Sequence, residues 1–187
     1  MRSLSFALPL AALGLALLSP TIGSAQNVTA IEPCGLLTIE EVSEVMGAPV
    51  DKGEMTDNGI TQDGAYSTTC VWKVALPPNV GHDHTKPLGG RPFAVLNVMS
   101  WEGGANSADK FLKEFHKAFE TREIPTEPAR VDVGADEALW WGDGVAARVD
   151  GISIGMSVAQ IADRDQRQPK AESLARRVVS RLPKDPG

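Results

Sequence analysis

Val145-Ala146-Ala147-Arg148-Val149-Asp150-Gly151-Ile152-Ser153-Ile154-Gly155-Met156-Ser157-Val158-Ala159 decides the fold. Asp-Gly between two β-branched, alternating runs favours a two-residue type I′ loop, because both central positions of that turn need positive φ. Such a loop puts Val149 opposite Ile152, Ala147 opposite Ile154 and Val145 opposite Met156. All six side chains then share one face, so register and turn agree. A hairpin needs no crossover connection, which makes the sheet around it mainly antiparallel.

Phe93 to Trp101 is the strongest single strand. Phe93, Val95 and Met99 point one way; Ala94, Leu96 and Val98 the other; Asn97 is the polar exception. A strand apolar on both faces sits centrally and is covered on both sides. Glu102-Gly103-Gly104 breaks it, and Asn106 or Ser107 caps a helix whose Phe111, Leu112, Phe115, Ala118 and Phe119 form one stripe. Pro125 and Pro128 end that helix. Val131 to Trp141 reads as a short turn feeding a strand. Upstream, Tyr66 to Leu76 reads as a strand with Cys70, Trp72 and Val74 on one face, and a weak strand is expected over 49–55, before the turn signals of Asp57-Asn58-Gly59.

Two helices bracket these strands. Thr38 and Glu41 have the spacing of a capping box; Ile39, Val42, Val45 and Met46 make an apolar face; Gly47 is a C′ stop. A closing helix over about Pro169 to Leu182 carries Ala171, Leu174, Ala175, Val178, Val179 and Leu182 on one stripe. The expected class is α+β, a mainly antiparallel sheet with helices packed on both faces.

Residues 1–25 stand apart. One positive charge, Arg2, precedes an apolar run from Leu4 to Leu18, then Pro20, Gly23, Ser24 and Ala25. That is a Sec-type signal-peptide pattern with cleavage after Ala25. No cysteine follows the run directly, so there is no lipobox, and the run falls short of a membrane span. The expected organisation is a cleaved leader 1–25, a lead-in 26–32, one domain 33–183 and a tail 184–187, exported to the periplasm or secreted, with no stable membrane insertion. The chain carries a net charge of −6, and the leader takes one positive charge with it. An acidic domain has no electrostatic footprint for nucleic acid. Cys34 and Cys70 are the two cysteines. In an oxidising compartment they allow one pairing, a disulfide whose loop closure contributes about 4 kcal/mol.

The motifs then fall into a known order. Pro33-Cys34-Gly35-Leu36-Leu37-Thr38 with Glu41-Val42 and Met46-Gly47, then Cys70-Val71-Trp72, then Val133-Gly134-Ala135-Asp136-Glu137-Ala138 before a Trp-bearing strand, resemble secreted bacterial proteins of unknown function best known as actinobacterial lipoproteins. The resemblance implies a PsbP-like α/β/α sandwich and brings no catalytic residues and no cofactor.

Candidate chemistry is thin. His82-Asp83-His84 has metal-ligand density, but it lies between Pro78 and Pro87, where a solvated loop is the competing reading. Asp136-Glu137 point to opposite faces of a strand, which suits a turn carboxylate better than an acid/base pair. Trp140-Trp141 also split between faces, and an exposed one of the two would mark a binding surface. No nucleophile elbow, P-loop, dinucleotide fingerprint or zincin motif occurs. The expectation is a non-enzymatic envelope domain binding a protein or small ligand; the alternative is a metal-binding accessory protein using His82 and His84.

Overall fold

The computed structural model describes residues 30–76, 85–101 and 105–183, with the side chains of 105–109 and 111 outside the description. Seven strands form one sheet: β1 (Glu54–Ile60), β2 (Tyr66–Lys73), β3 (Phe93–Ser100), β4 (Ala129–Arg130), β5 (Glu137–Trp140), β6 (Gly144–Val149) and β7 (Ile152–Ala159). Their spatial order is β1-β2-β3-β7-β6-β5-β4, and every pairing is antiparallel. Two meanders therefore meet at β3–β7. Between them the chain passes from β3, inside the sheet, to β4 at the far edge through α2 (Ala105–Glu120).

The β6–β7 hairpin takes the expected register, with Val149 opposite Ile152, Ala147 opposite Ile154 and Val145 opposite Met156. Asp150 carries a positive φ of 49°, but Gly151 is not among the glycines with positive φ, so the expected type I′ turn is corrected: the two-residue loop and its register form without it. All six of those side chains join the main core. Over that face lie α1 (Ile39–Met46) and α3 (Arg167–Val179), through Val42 and Met46 and through Ala171, Leu174, Ala175, Val178 and Val179. The opposite face carries α2, whose Leu112 and Phe115 pack on Leu139, Ala146 and Trp141. The protein is thus α+β with helices on both faces of an antiparallel sheet.

Helix α1 begins on the expected capping box: the Glu41 N–H donates to Thr38 Oγ1 (3.2 Å) and the Thr38 N–H to Glu41 Oε2 (2.9 Å). It ends on Gly47 at φ 76°, where a Cβ would be strained. A 3-10 turn, Pro33–Leu36, precedes it and carries Cys34, which is joined to Cys70 of β2. The disulfide ties the entry of α1 to the inner face of the sheet. Among the described residues no helix is long and apolar enough to cross a membrane; residues 1–25, where a leader is expected, lie outside them.

Two strand readings are corrected. The strand expected over 49–55 is β1 at Glu54–Ile60, with Val50 making only an isolated bridge to Val74. Asp57-Asn58-Gly59, a turn signal, lies inside that strand as a bulge between Asp57 and Gly59. Gly59 supplies φ 71°, its N–H donates to Asp57 Oδ1 (2.9 Å), and the Asn58 amide donates to Ser67 and Thr69. The second correction is on β3. It is interior to the sheet, but only its Ala94, Leu96 and Val98 side is fully buried. The helix of the second face lies over β5, β6 and β7 instead, and Asn97 donates to Ser67 and Thr69 on the polar half-face it leaves.

Candidate functional site

A cleft of about 360 Å³ opens where α2 overhangs the β4–β5 edge of the sheet. The pleat decides what faces it. On β5 the side chains alternate, so Ala138 and Trp140 turn to the main core while Leu139 turns to α2. Glu137, two residues from Leu139, shares its face. Arg130 of β4 stands opposite Leu139 in the register and completes the sheet side. From the helix come Leu112, Lys113 and His116. Leu112 is buried on Leu139, and Lys113 and His116, one turn apart, flank it at the exposed rim.

The cleft therefore has an apolar floor of Leu112 and Leu139 beneath two permanent cations, a histidine and one carboxylate. Among the described residues, Lys113, His116, Arg130 and Glu137 make no ion pair with one another or with any neighbour. The reason is positional for the two strand residues. Arg130 is opposite Leu139, so it and Glu137 are diagonal neighbours about 7–8 Å apart at the backbone, while Arg148, opposite Glu137, turns to Asp136 instead. Asp136, one residue earlier, is spent structurally: its Oδ2 accepts the Asp150 N–H (2.9 Å) and lies 3.6 Å from Arg148 Nη1. It behaves as the turn carboxylate read from the sequence.

Such an arrangement can bind an anionic group next to an apolar body. A carboxylate or phosphate would find hydrogen-bond donors on three side chains from two elements. No serine, threonine or cysteine stands among the described lining residues.

The residues singled out earlier are scattered. His82 and His84 lie outside the described residues. Among the described residues no group of three or more His, Cys, Asp or Glu side chains is placed to hold a metal ion. Cys34 and Cys70 are consumed by the disulfide. Trp140 packs against the main core and Trp141 against Phe115 under α2, with ring centroids 6.0 Å apart; both are half-buried. Trp141 thus stands behind the cleft's helix wall. Lys113, His116 and Arg130 had no individual signal, since each reads alone as a solvated charge. Comparison with protein-family models, with curated proteins and with solved structures finds nothing that the chain matches.

Proposed function

We propose that the chain is an exported, non-enzymatic domain of the cell envelope, related to the secreted bacterial proteins its Pro33-Cys34 start resembles, which binds a small ligand through an anionic group in the α2–β5 cleft. The observation that carries the binding reading is the convergence of Lys113, His116 and Arg130 on one apolar floor. The chain as a whole is acidic, at −6, so a local excess of cations in a concave site is not what composition alone would place there. The size favours a small ligand, since about 360 Å³ is near the lower end of ligand sites. The leader pattern and the disulfide support the exported compartment.

Titration calorimetry on the mature protein tests the reading with four related probes. L-leucine and N-acetyl-L-leucine carry a carboxylate; L-leucinamide and N-acetyl-L-leucinamide do not. The expected result is that a carboxylate-bearing probe binds with a Kd at or below about 1 mM, equivalent to about −4 kcal/mol. That binding is lost in the doubly substituted Arg130→Ala, His116→Ala protein. If neither carboxylate binds, or the amides bind equally well, the cleft is not an anion site.

A further inference from the structure

Resting on that reading, we infer that the ligand is a zwitterion, an apolar α-amino acid or a molecule presenting the same head group, with its carboxylate toward Arg130, Lys113 and His116 and its ammonium toward Glu137. The inference turns on Glu137. A site built for a simple anion gains nothing from a carboxylate in its wall, because the like charges repel and the ligand loses affinity. Glu137 is nonetheless half-buried on the cleft's sheet side; Arg148, its cross-strand neighbour on β6, turns to Asp136 and the Asp150 carbonyl, and among the described residues no ion pair to Glu137 forms.

The register explains how one ligand serves both signs. Arg130 faces Leu139 across β4–β5, and Glu137 lies two residues from Leu139 along β5. Arg130 and Glu137 are therefore diagonal neighbours, about 7–8 Å apart at the backbone. Opposite charges held at that diagonal leave a gap that the ammonium and carboxylate of one α-carbon can bridge, each meeting its partner by a charge-assisted hydrogen bond. The side chain on that α-carbon then falls onto Leu112 and Leu139. Glu137 also works against wrong ligands: a molecule with the anion and no cation leaves its carboxylate facing like charge, which is selectivity by penalty.

The test compares L-leucine with N-acetyl-L-leucine, which keeps the carboxylate and loses the ammonium, on wild-type protein and on Glu137→Gln. Wild type should bind L-leucine at least about tenfold more tightly, the scale of one charge-assisted hydrogen bond. In Glu137→Gln that preference should fall to within about threefold, with N-acetyl-L-leucine bound as well as before or better. Thermal melting of the variant at the wild-type temperature establishes that it is folded. Equal binding of the two probes by wild type overturns the zwitterion and leaves the anion site standing. A preference unchanged by Glu137→Gln overturns it too, since the ammonium then sits elsewhere. Binding of neither probe removes the anion reading and the inference with it.

Discussion

Arg181, just past the end of α3, grips Glu41 of α1 with two nitrogens: Nη2 donates to Oε1 at 2.6 Å and Nη1 to Oε2 at 2.7 Å. Arg181 Nη1 also donates to the Leu36 carbonyl at 2.8 Å. Glu41 meanwhile closes the α1 capping box, so one carboxylate both starts a helix and docks it on another. The Arg181 hydrogen bonds, then the Thr38 N–H and the attraction of Arg181 and Arg177, outweigh partial burial and hold the Glu41 carboxyl down at about 2, from an ordinary 4.5. A folded-state value below the unfolded one contributes stability that is complete above about 4.5 and is lost as pH falls toward 2. Because the pair is partly solvated, Arg181→Ala is expected to cost about 1–2 kcal/mol at neutral pH. Glu41→Gln should cost about as much while keeping the cap, since Gln also serves at that position. Urea unfolding at a series of pH values checks this: the wild-type loss between pH 4.5 and 2 should be smaller in Glu41→Gln.

The disulfide leaves no room beside it. A Cβ at Gly53 would stand 2.6 Å from Cys70 Sγ and 2.7 Å from Trp72 Nε1, both in a side-chain layer that is fully buried. Neither neighbour is a flexible end: one is bonded to Cys34, the other is a core indole. Gly53→Ala is therefore expected to cost about 2–3 kcal/mol. Gly47→Ala, where nothing lies within 4 Å and only φ 76° objects, should cost about 1–2 kcal/mol. Replacing both cysteines by Ala should cost about 4 kcal/mol through loop closure from 34 to 70. Denaturant midpoints for the three variants test the order. Gly53→Ala should be better tolerated once the cysteines are gone, a coupling that a double-mutant cycle reads directly.

Helix α2 is the less firmly held wall of the cleft. Among its described side chains only Leu112 is fully buried, with Phe115 on Trp141 beside it, whereas α3 buries Ala171, Leu174, Ala175, Val178 and Val179. Amide exchange should accordingly be faster along the second half of α2 than along α3. Phe115→Ala and Trp141→Ala should each speed exchange in α2 and leave α3 unchanged. Their stability costs should be coupled by about 0.5–1.5 kcal/mol, the scale of an aromatic pair. Equal protection of the two helices in the wild type would contradict the account.

Short-range signals carried most of the fold into view. The register of the Asp150-Gly151 hairpin, the Thr38–Glu41 box and the Ala171–Val179 stripe each rest on residues close in sequence, and each forms as read. The two cysteines allowed a single intramolecular pairing, and it is the one that forms. β1 was hidden because Asp57-Asn58-Gly59 has turn chemistry, and a bulge uses that chemistry without leaving the strand. β4 is two residues long, too short for any period. The cleft was hidden for a different reason. Lys113 and His116 on α2, Arg130 on β4 and Glu137 on β5 converge only because the chain crosses the sheet between β3 and β4. Pairing within a strand or helix could be counted; that crossing could not.

Tyr66 is the chain's one tyrosine, which makes a last relationship measurable by itself. Its hydroxyl donates to Asp57 Oδ2 at 2.6 Å beside the β1 bulge. The hydrogen bond to Asp57 raises the phenol above its ordinary 10.0, and the same bond, with the Gly59 N–H, lowers Asp57 below its ordinary 3.8. A raised folded-state value means that the contribution is present below the unfolded phenol's pKa and is lost as pH rises through the folded one. Absorbance titration of the folded protein should give a single phenolate midpoint above that of the chain unfolded in urea. Asp57→Asn should bring it back toward 10.0, since the carboxylate that holds the proton is gone. A midpoint that does not move in Asp57→Asn would mean that the 2.6 Å bond does not hold the proton, and that the bulge is kept by the Gly59 N–H and the Asn58 amide alone.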